Sequence, residues 1–312
     1  MRSARATLAA VFALSAIGCG ETAVVAPVTP TDTLPSDTLP AALQALLRPD
    51  TARSATVATG VRYRYLWSRQ GPWAVHLVEA DLSRCELGLR TLRPAAREAG
   101  GKGLERVTAM VSRAGAAVLV AVNADFFNAD GTPVGSEVVR GRVTAAALRP
   151  GVAWKAGSAP WMGITAVSGD TLKAGWGIPI GAGDGRTEMV GGFPDMLDKG
   201  SRVGDLEVTA RPTFAPVRHP RTAVGYDVAT SKLWLIEVDG RQLPYSDGMT
   251  LPELASLMEA LGIDEGLNLD GGGSSVMVVL GSARNRPSDA AGERAVVNAL
   301  ALVRDSTGCG GR

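Results

Sequence analysis

The stretch Asn268-Leu269-Asp270-Gly271-Gly272-Gly273-Ser274-Ser275 places a carboxylate against three consecutive glycines and two hydroxyls. Glycine permits backbone conformations and close approaches that a Cβ blocks. Successive backbone N–H groups in such a turn can form a concave anion site. Asp270 at its mouth has the chemistry of an acid, a base or a nucleophile. The same letters also describe a tight hairpin whose aspartate caps its own turn. Further acids and arginines fall where apolar runs end: Asp125, Glu137, Arg221, Asp239, Glu293 and Arg294. A pair of carboxylates is the minimum for glycoside hydrolysis, and arginines beside a glycine-lined concavity suit a phosphate. A substrate carrying both a sugar and a phosphate would use every part.

The elements that must hold these groups are mostly strands. Gly266–Leu269 delivers Asp270, and Val276–Leu280 leads away from it. Ala116–Val122 runs as a buried strand into Asn123-Ala124-Asp125-Phe126-Phe127-Asn128. Arg62–Trp67 and Trp73–Leu82 flank the turn Gln70-Gly71-Pro72, and Glu86–Leu92 alternates as a half-buried strand should. His76 lies inside one of these runs and reads as a packed structural histidine. Val134–Arg140 and Arg142–Leu148 pair about Gly141, and Thr222–Asp227 and Lys232–Val238 form a hairpin that opens onto Asp239-Gly240-Arg241. Ala295–Val303 is the last strand. Two helices stand out: Lys102–Ala114, from its apolar spacing, and the segment after Thr250-Leu251-Pro252-Glu253, a capping box that ends at Gly262. A short helix over Ala41–Leu47 is also compatible with the pattern. Residues 151–204 give little periodicity; long irregular segments of this kind are often binding loops, and Trp154, Trp161 and Trp176 there suit core filling or sugar stacking.

Composition narrows the function. Of 312 residues 46% are apolar, with Gly 38 and Pro 18, as expected of a turn-rich, strand-rich globular chain. A net charge of +1 without a basic cluster argues against a nucleic-acid partner. Two histidines and three cysteines make no HExxH or CxxC pattern, which argues against a His/Cys zinc site. Serine–histidine chemistry would need His76 or His219, and no GxSxG turn is present. Clustered acids leave room for an oxygen-ligated Ca²⁺ or Mg²⁺, with no EF-hand spacing to support it.

Residues 1–19 have the basic start, short apolar run and small residues of an export signal. Ala16-Ile17-Gly18-Cys19 is similar to a lipobox, making Cys19 a candidate lipid attachment point and the lipid the one expected link to a membrane. Residues 20–55, Pro/Thr-rich with a near-duplicated Thr-Leu-Pro unit, read as a disordered tether. The catalytic unit is expected over 56–306 and a tail over 307–312. Cys85 and Cys309 then remain as an even pair, suited to a disulfide in an exported chain.

Several motifs, in order, resemble the phosphodiester glycosidase family: Asn123-Ala124-Asp125-Phe126-Phe127, His219-Pro220-Arg221-Thr222-Ala223-Val224-Gly225, Asp239-Gly240-Arg241, Gly248-Met249-Thr250-Leu251, Asn268 to Ser275, and Glu293-Arg294-Ala295-Val296-Val297-Asn298-Ala299-Leu300. The resemblance implies an α+β fold of mixed and antiparallel sheets with a few helices packed at their edges. It also implies hydrolysis of a sugar-1-phosphodiester, of the kind found in envelope or extracellular glycans, to free sugar and a phosphomonoester. On that basis Asp270 would act at the anomeric carbon as nucleophile or as base for water, with Glu137 or Asp239 as second carboxylate. Arg221 and Arg294 would take the phosphate, assisted by Gly271, Gly272, Gly273 and Ser274. Asn123, Asp125 and Asn268 would orient sugar hydroxyls. The alternatives are a non-catalytic, surface-anchored carbohydrate-binding or exopolysaccharide-processing protein, and a phosphodiesterase that cuts on the phosphate side.

Overall fold

A computed structural model of the chain describes residues 39–168, 171–173, 179–180, 187–204, 206 and 212–310. The export signal, the lipobox and most of the tether, together with Trp176 and Gly181–Gly185, lie outside these residues.

The core is two facing antiparallel sheets. The larger has eight strands in the order Thr51–Ala58, Val61–Ser68, Trp73–Asp81, Lys232–Val238, Arg221–Asp227, Glu265–Asn268, Asp195–Asp198, Ser201–Arg202. The second has five: Ser282–Ala283, Met277–Val279, Val118–Asn123, Ala299–Arg304, Leu87–Leu92. Strict alternation divides each strand between two cores. Along Lys232–Val238, Leu233 and Leu235 face the inter-sheet core, while Trp234, Ile236 and Val238 face outward. Along Ala299–Arg304, Leu300 and Leu302 point inward, and Ala299, Ala301 and Val303 pack under the helix Val107–Ala114. The outward face of the large sheet is covered by the helix Leu251–Ala260. A second five-stranded antiparallel sheet, built around Thr187–Gly191, adds Val152, Trp154 and Val190 to the inter-sheet core. The expected α+β class holds, and every pairing between these strands is antiparallel.

The capping box forms as written: the Thr250 hydroxyl accepts from the Glu253 amide, and the Glu253 carboxylate accepts from the Thr250 amide. The other expected helix is shorter, Val107–Ala114, because Glu105 pairs with the strand-like Val296 instead of winding into the first turn. Cys85 and Cys309 form a disulfide that ties the chain's end to the start of the Leu87–Leu92 strand.

The start of the folded unit needs correction. Ala41–Leu47 is a helix and Thr51–Ala58 the outer strand of the large sheet, so the ordered chain begins before residue 56. Leu43 and Leu47, each 1% exposed, sit in the core beneath Leu254 and Leu257. Truncating buried leucines costs about 2–5 kcal/mol each. A Leu43→Ala/Leu47→Ala double variant is therefore expected to melt well below the parent chain. An unchanged melting temperature would return this segment to the tether.

Candidate active site

Antiparallel topology brings the ends of Val118–Asn123 and Glu265–Asn268 beside the starts of Arg221–Asp227 and Ala299–Arg304. The Asp270 amide donates to the Ala124 carbonyl at 2.8 Å, and the Leu269 amide donates to the Thr222 carbonyl at 2.8 Å. The glycine loop is thereby stitched to two strands. Asn123 is the central stitch: its Nδ2 donates to the Asp270 carbonyl (2.6 Å), and its Oδ1 accepts from the Thr222 hydroxyl and the Val276 amide. Its side chain is fully buried, which places it under the loop and not at a sugar.

The three glycine amides do not form an open nest. The Gly271 amide donates to Asp270 Oδ1 (2.9 Å) and the Gly272 amide to the Pro220 carbonyl (2.9 Å), which leaves at most the Gly273 amide for an anion. The loop instead winds into a 3₁₀ turn, Gly272–Ser274. Its glycines serve approach. Gly272 has φ +62°, and a Cβ there would meet the Arg241 guanidinium at 3.1 Å; a Cβ on Gly273 would overlap Arg294 Nη2. Two exposed guanidiniums thus lie against the turn that carries Asp270. Arg294 is held by Asp289 through two bonds of 2.8 and 3.0 Å. Arg241 Nη2 donates to His219 Nδ1 at 3.1 Å, so His219 carries its proton on Nε2, which donates to the Thr213 carbonyl. Burial, then the charges of Arg221 and Arg241, pull the His219 pKa down and keep it neutral. Arg241 lies in a motif noted from the sequence without being marked as a site group, and His219 was weighed only for serine–histidine chemistry; the Arg241 backbone is left-handed (φ +58°).

Arg221 sits deeper. It is 1% exposed, with Nε on the Met249 carbonyl and Nη2 on the Phe214 and Val217 carbonyls. Burial without a carboxylate bond lowers its pKa to about 10. Its guanidinium stacks on Phe214, whose ring lies 6.3 Å from Phe193 and 6.1 Å from Phe126, and Arg149 covers Phe193. These half-buried rings form an apolar wall. Asn268 holds that wall through Nδ2 to the Phe193 carbonyl, while its Oδ1 is buried with no bond.

The candidate carboxylates separate by access. Among Asp270, Asp125, Glu137 and Asp239, Asp270 alone reaches solvent. Burial raises its pKa to about 6, against the opposing pull of the Ser274 hydroxyl, the Gly271 amide and Arg294. Asp125 is buried between Gly135 and Gly191, accepts from the Gly135 amide, and is pushed up to about 7 by desolvation. Glu137 is completely enclosed: Arg97 grips both oxygens (2.7 and 2.8 Å), with Thr144 and Asn298 completing the set. Asp239 is equally enclosed, bound by Tyr245, Asn285 and the Arg286 amide. Neither Glu137 nor Asp239 opens toward the Asp270 loop as a second carboxylate would need to. Glu293 caps the helix Val107–Ala114 through the Thr108 amide and hydroxyl.

Residues 116–303 match the model of one family, phosphodiester glycosidase. The chain belongs to the phosphodiester glycosidase family. Among solved structures, the fold superposes on the catalytic domain of zebrafish N-acetylglucosamine-1-phosphodiester alpha-N-acetylglucosaminidase, auto-inhibited by its pro-peptide, with a TM-score of 0.57 at 19% identity. That match covers 82% of this chain and 88% of that one. A hypothetical protein from Synechocystis gives 0.64 at 18% identity, over 81% of this chain and 64% of that one. A protein of Burkholderia pseudomallei K96243 described as exported gives 0.58 at 23%, over 75% and 74%. At these identities the likeness is one of fold. The SPbeta prophage-derived uncharacterized protein YomE of Bacillus subtilis (strain 168) is 43% identical over 86 residues, 28% of this chain and 13% of that protein. The phosphodiester glycosidase match thus takes in the Asp270 loop, Arg221, Arg241 and Arg294 together.

Proposed function

We propose that this family member hydrolyses the glycosidic bond of a sugar-1-phosphodiester, giving free sugar and a phosphomonoester. One observation carries the reading: a solvent-reaching carboxylate, Asp270, immediately precedes the glycine turn against which the exposed guanidiniums of Arg241 and Arg294 lie. Asp270, ionised, attacks the anomeric carbon to give a glycosyl ester that water then hydrolyses, or takes a proton from water that attacks directly. The C1–O bond breaks and its electron pair leaves on the phosphate oxygen. A phosphomonoester has a second pKa near roughly 6, so it departs without strong proton donation. The need is charge neutralisation, which two guanidiniums supply. Arg221 and Asn123 hold the loops from beneath. The Phe126, Phe193 and Phe214 wall offers apolar faces to the sugar ring. Asp125 and Asn268 back that wall and the loop.

The disulfide and the exported structural neighbour support an extracytoplasmic setting, where a glycan phosphodiester of the envelope is the fitting substrate class. Cys19 lipidation would supply the membrane link.

Two outcomes test the site. Activity should rise with pH through about 6, because Asp270 works as the carboxylate and burial holds its pKa there. The phosphodiester itself does not titrate in that range, so a flat profile from pH 5 to 8 would dissociate Asp270 from the chemistry. Arg241→Ala and Arg294→Ala should each weaken inhibition by the phosphomonoester product by about tenfold or more, the scale of a charge-assisted bond. Unchanged inhibition in both would place the phosphate elsewhere.

A further inference from the structure

A second polar cluster lies behind this site, closed to solvent. His76 and Glu237 face each other in register on the neighbouring strands Trp73–Asp81 and Lys232–Val238, and Asp239 follows one turn of pleat later. All three are 2% exposed or less. His76 Nε2 lies 3.3 Å from Asp239 Oδ2 and 3.9 Å from Glu237 Oε2. Among the described residues no lysine or arginine pairs with either carboxylate. Asn285 Nδ2 donates to Glu237 Oε1 (3.1 Å) and Asp239 Oδ1 (3.3 Å), and Tyr245 donates to Asp239 Oδ2 (2.8 Å). Glu237 Oε2, aimed at His76 Nε2, is buried with no hydrogen-bond partner.

Two adjacent buried carboxylates served by one imidazole are short of positive charge. Removing an ion from water costs several kcal/mol unless a counter-charge replaces the lost solvation. The geometry supplies a place for the missing charge. One ligand atom from each of His76, Glu237 and Asp239 lies within 4.8 Å of the other two. An ion among them would be held by one nitrogen and two carboxylate oxygens, donors that bind Zn²⁺ at about 2.0–2.2 Å. The surroundings match a ligand shell. Tyr63 Oη is 2.8 Å from His76 Nδ1, so it can accept a hydrogen bond from Nδ1–H in the tautomer that leaves Nε2 bare. The Tyr65 ring, 5.0 Å from the imidazole, fixes its plane.

We infer that His76, Glu237 and Asp239 form a buried site for one divalent transition ion of the Zn²⁺ or Mn²⁺ type. One nitrogen with two carboxylate oxygens suits these ions better than Ca²⁺, which takes six to eight oxygens. The site's role is structural. Asn285, which touches both carboxylates, also donates to the Ser275 carbonyl (3.1 Å), and its Oδ1 accepts from the Met277 amide. The ion therefore fixes the exit of the Asp270 loop without touching substrate.

The test is metal content and thermal unfolding of the full chain, grown with Zn²⁺ and Mn²⁺ and purified without chelator. About one equivalent per chain is expected, falling about tenfold or more in Glu237→Gln and Asp239→Asn. EDTA should lower the melting temperature of the parent, and should leave the Glu237→Gln protein unmoved. If either variant fails to fold, the parent decides alone. A parent with no bound metal, whose melting temperature neither ion raises, would overturn the inference and leave a shared proton as the cluster's missing charge.

Discussion

Asp270→Asn is expected to fold normally and to lose about 10⁴-fold or more in turnover, the scale reported when an enzyme's nucleophile is removed. The fold should survive because an amide oxygen still accepts from the Gly271 amide, and the stitches to Ala124 and Asn123 are backbone bonds on Asp270's side. Stability should hold or rise at neutral pH. Asp270 has its pKa raised from 3.8 to about 6 by burial. A raised acid contributes stability that is fully present below its unfolded pKa and is lost as pH rises through its folded pKa. At pH 7 the ionised side chain therefore carries a cost that asparagine does not. Product formation by rapid sampling, beside a thermal melt, separates the two effects. A well-folded variant with parental turnover would remove Asp270 from the mechanism.

Glu137→Gln should show the opposite pattern, with stability lost and chemistry kept. Its carboxylate is held by both guanidinium nitrogens of Arg97, by Thr144 and by Asn298, and it has no exposure. Breaking one partner of a buried pair leaves an uncompensated charge and costs about 3–5 kcal/mol. The Arg97 charge would then face an amide. Asn298 also accepts from the Asp125 amide, so loosening here would spread toward the site and set a modest rise in KM. Denaturant unfolding should show the loss, while kcat measured well below the melt stays near that of the parent. A stable Glu137→Gln protein without turnover would make Glu137 the second carboxylate after all.

The fold was legible wherever one face of an element is buried. The runs Thr222–Asp227 and Lys232–Val238 mark a hairpin that the structure forms, and Thr250 with Glu253 marks a helix start by a local hydrogen-bond rule. Strand partners were not legible, because pairing between Glu265–Asn268 and Arg221–Asp227 depends on contacts distant in sequence. The same limit explains the site. Asp270 and the glycines were visible as types in a short window. Which carboxylate reaches solvent was not, since Arg97 encloses Glu137 from forty residues away. Nor could composition distinguish an open row of amides from one whose donors are taken by Asp270 and the Pro220 carbonyl. His76 read correctly as a strand residue, but its cross-strand neighbours Glu237 and Asp239 give it a meaning no single strand contains.

The central claim is that the bond broken is C1–O and not P–O. Hydrolysis of a sugar-1-phosphodiester such as UDP-GlcNAc by the full chain in ¹⁸O-labelled water tests it most directly, with the phosphate-bearing product read by mass spectrometry. The account predicts free sugar and unlabelled UDP, formed by the parent and not by Asp270→Asn. Label in the phosphate, whether the sugar leaves free or as sugar-1-phosphate, would show attack at phosphorus, and would contradict it.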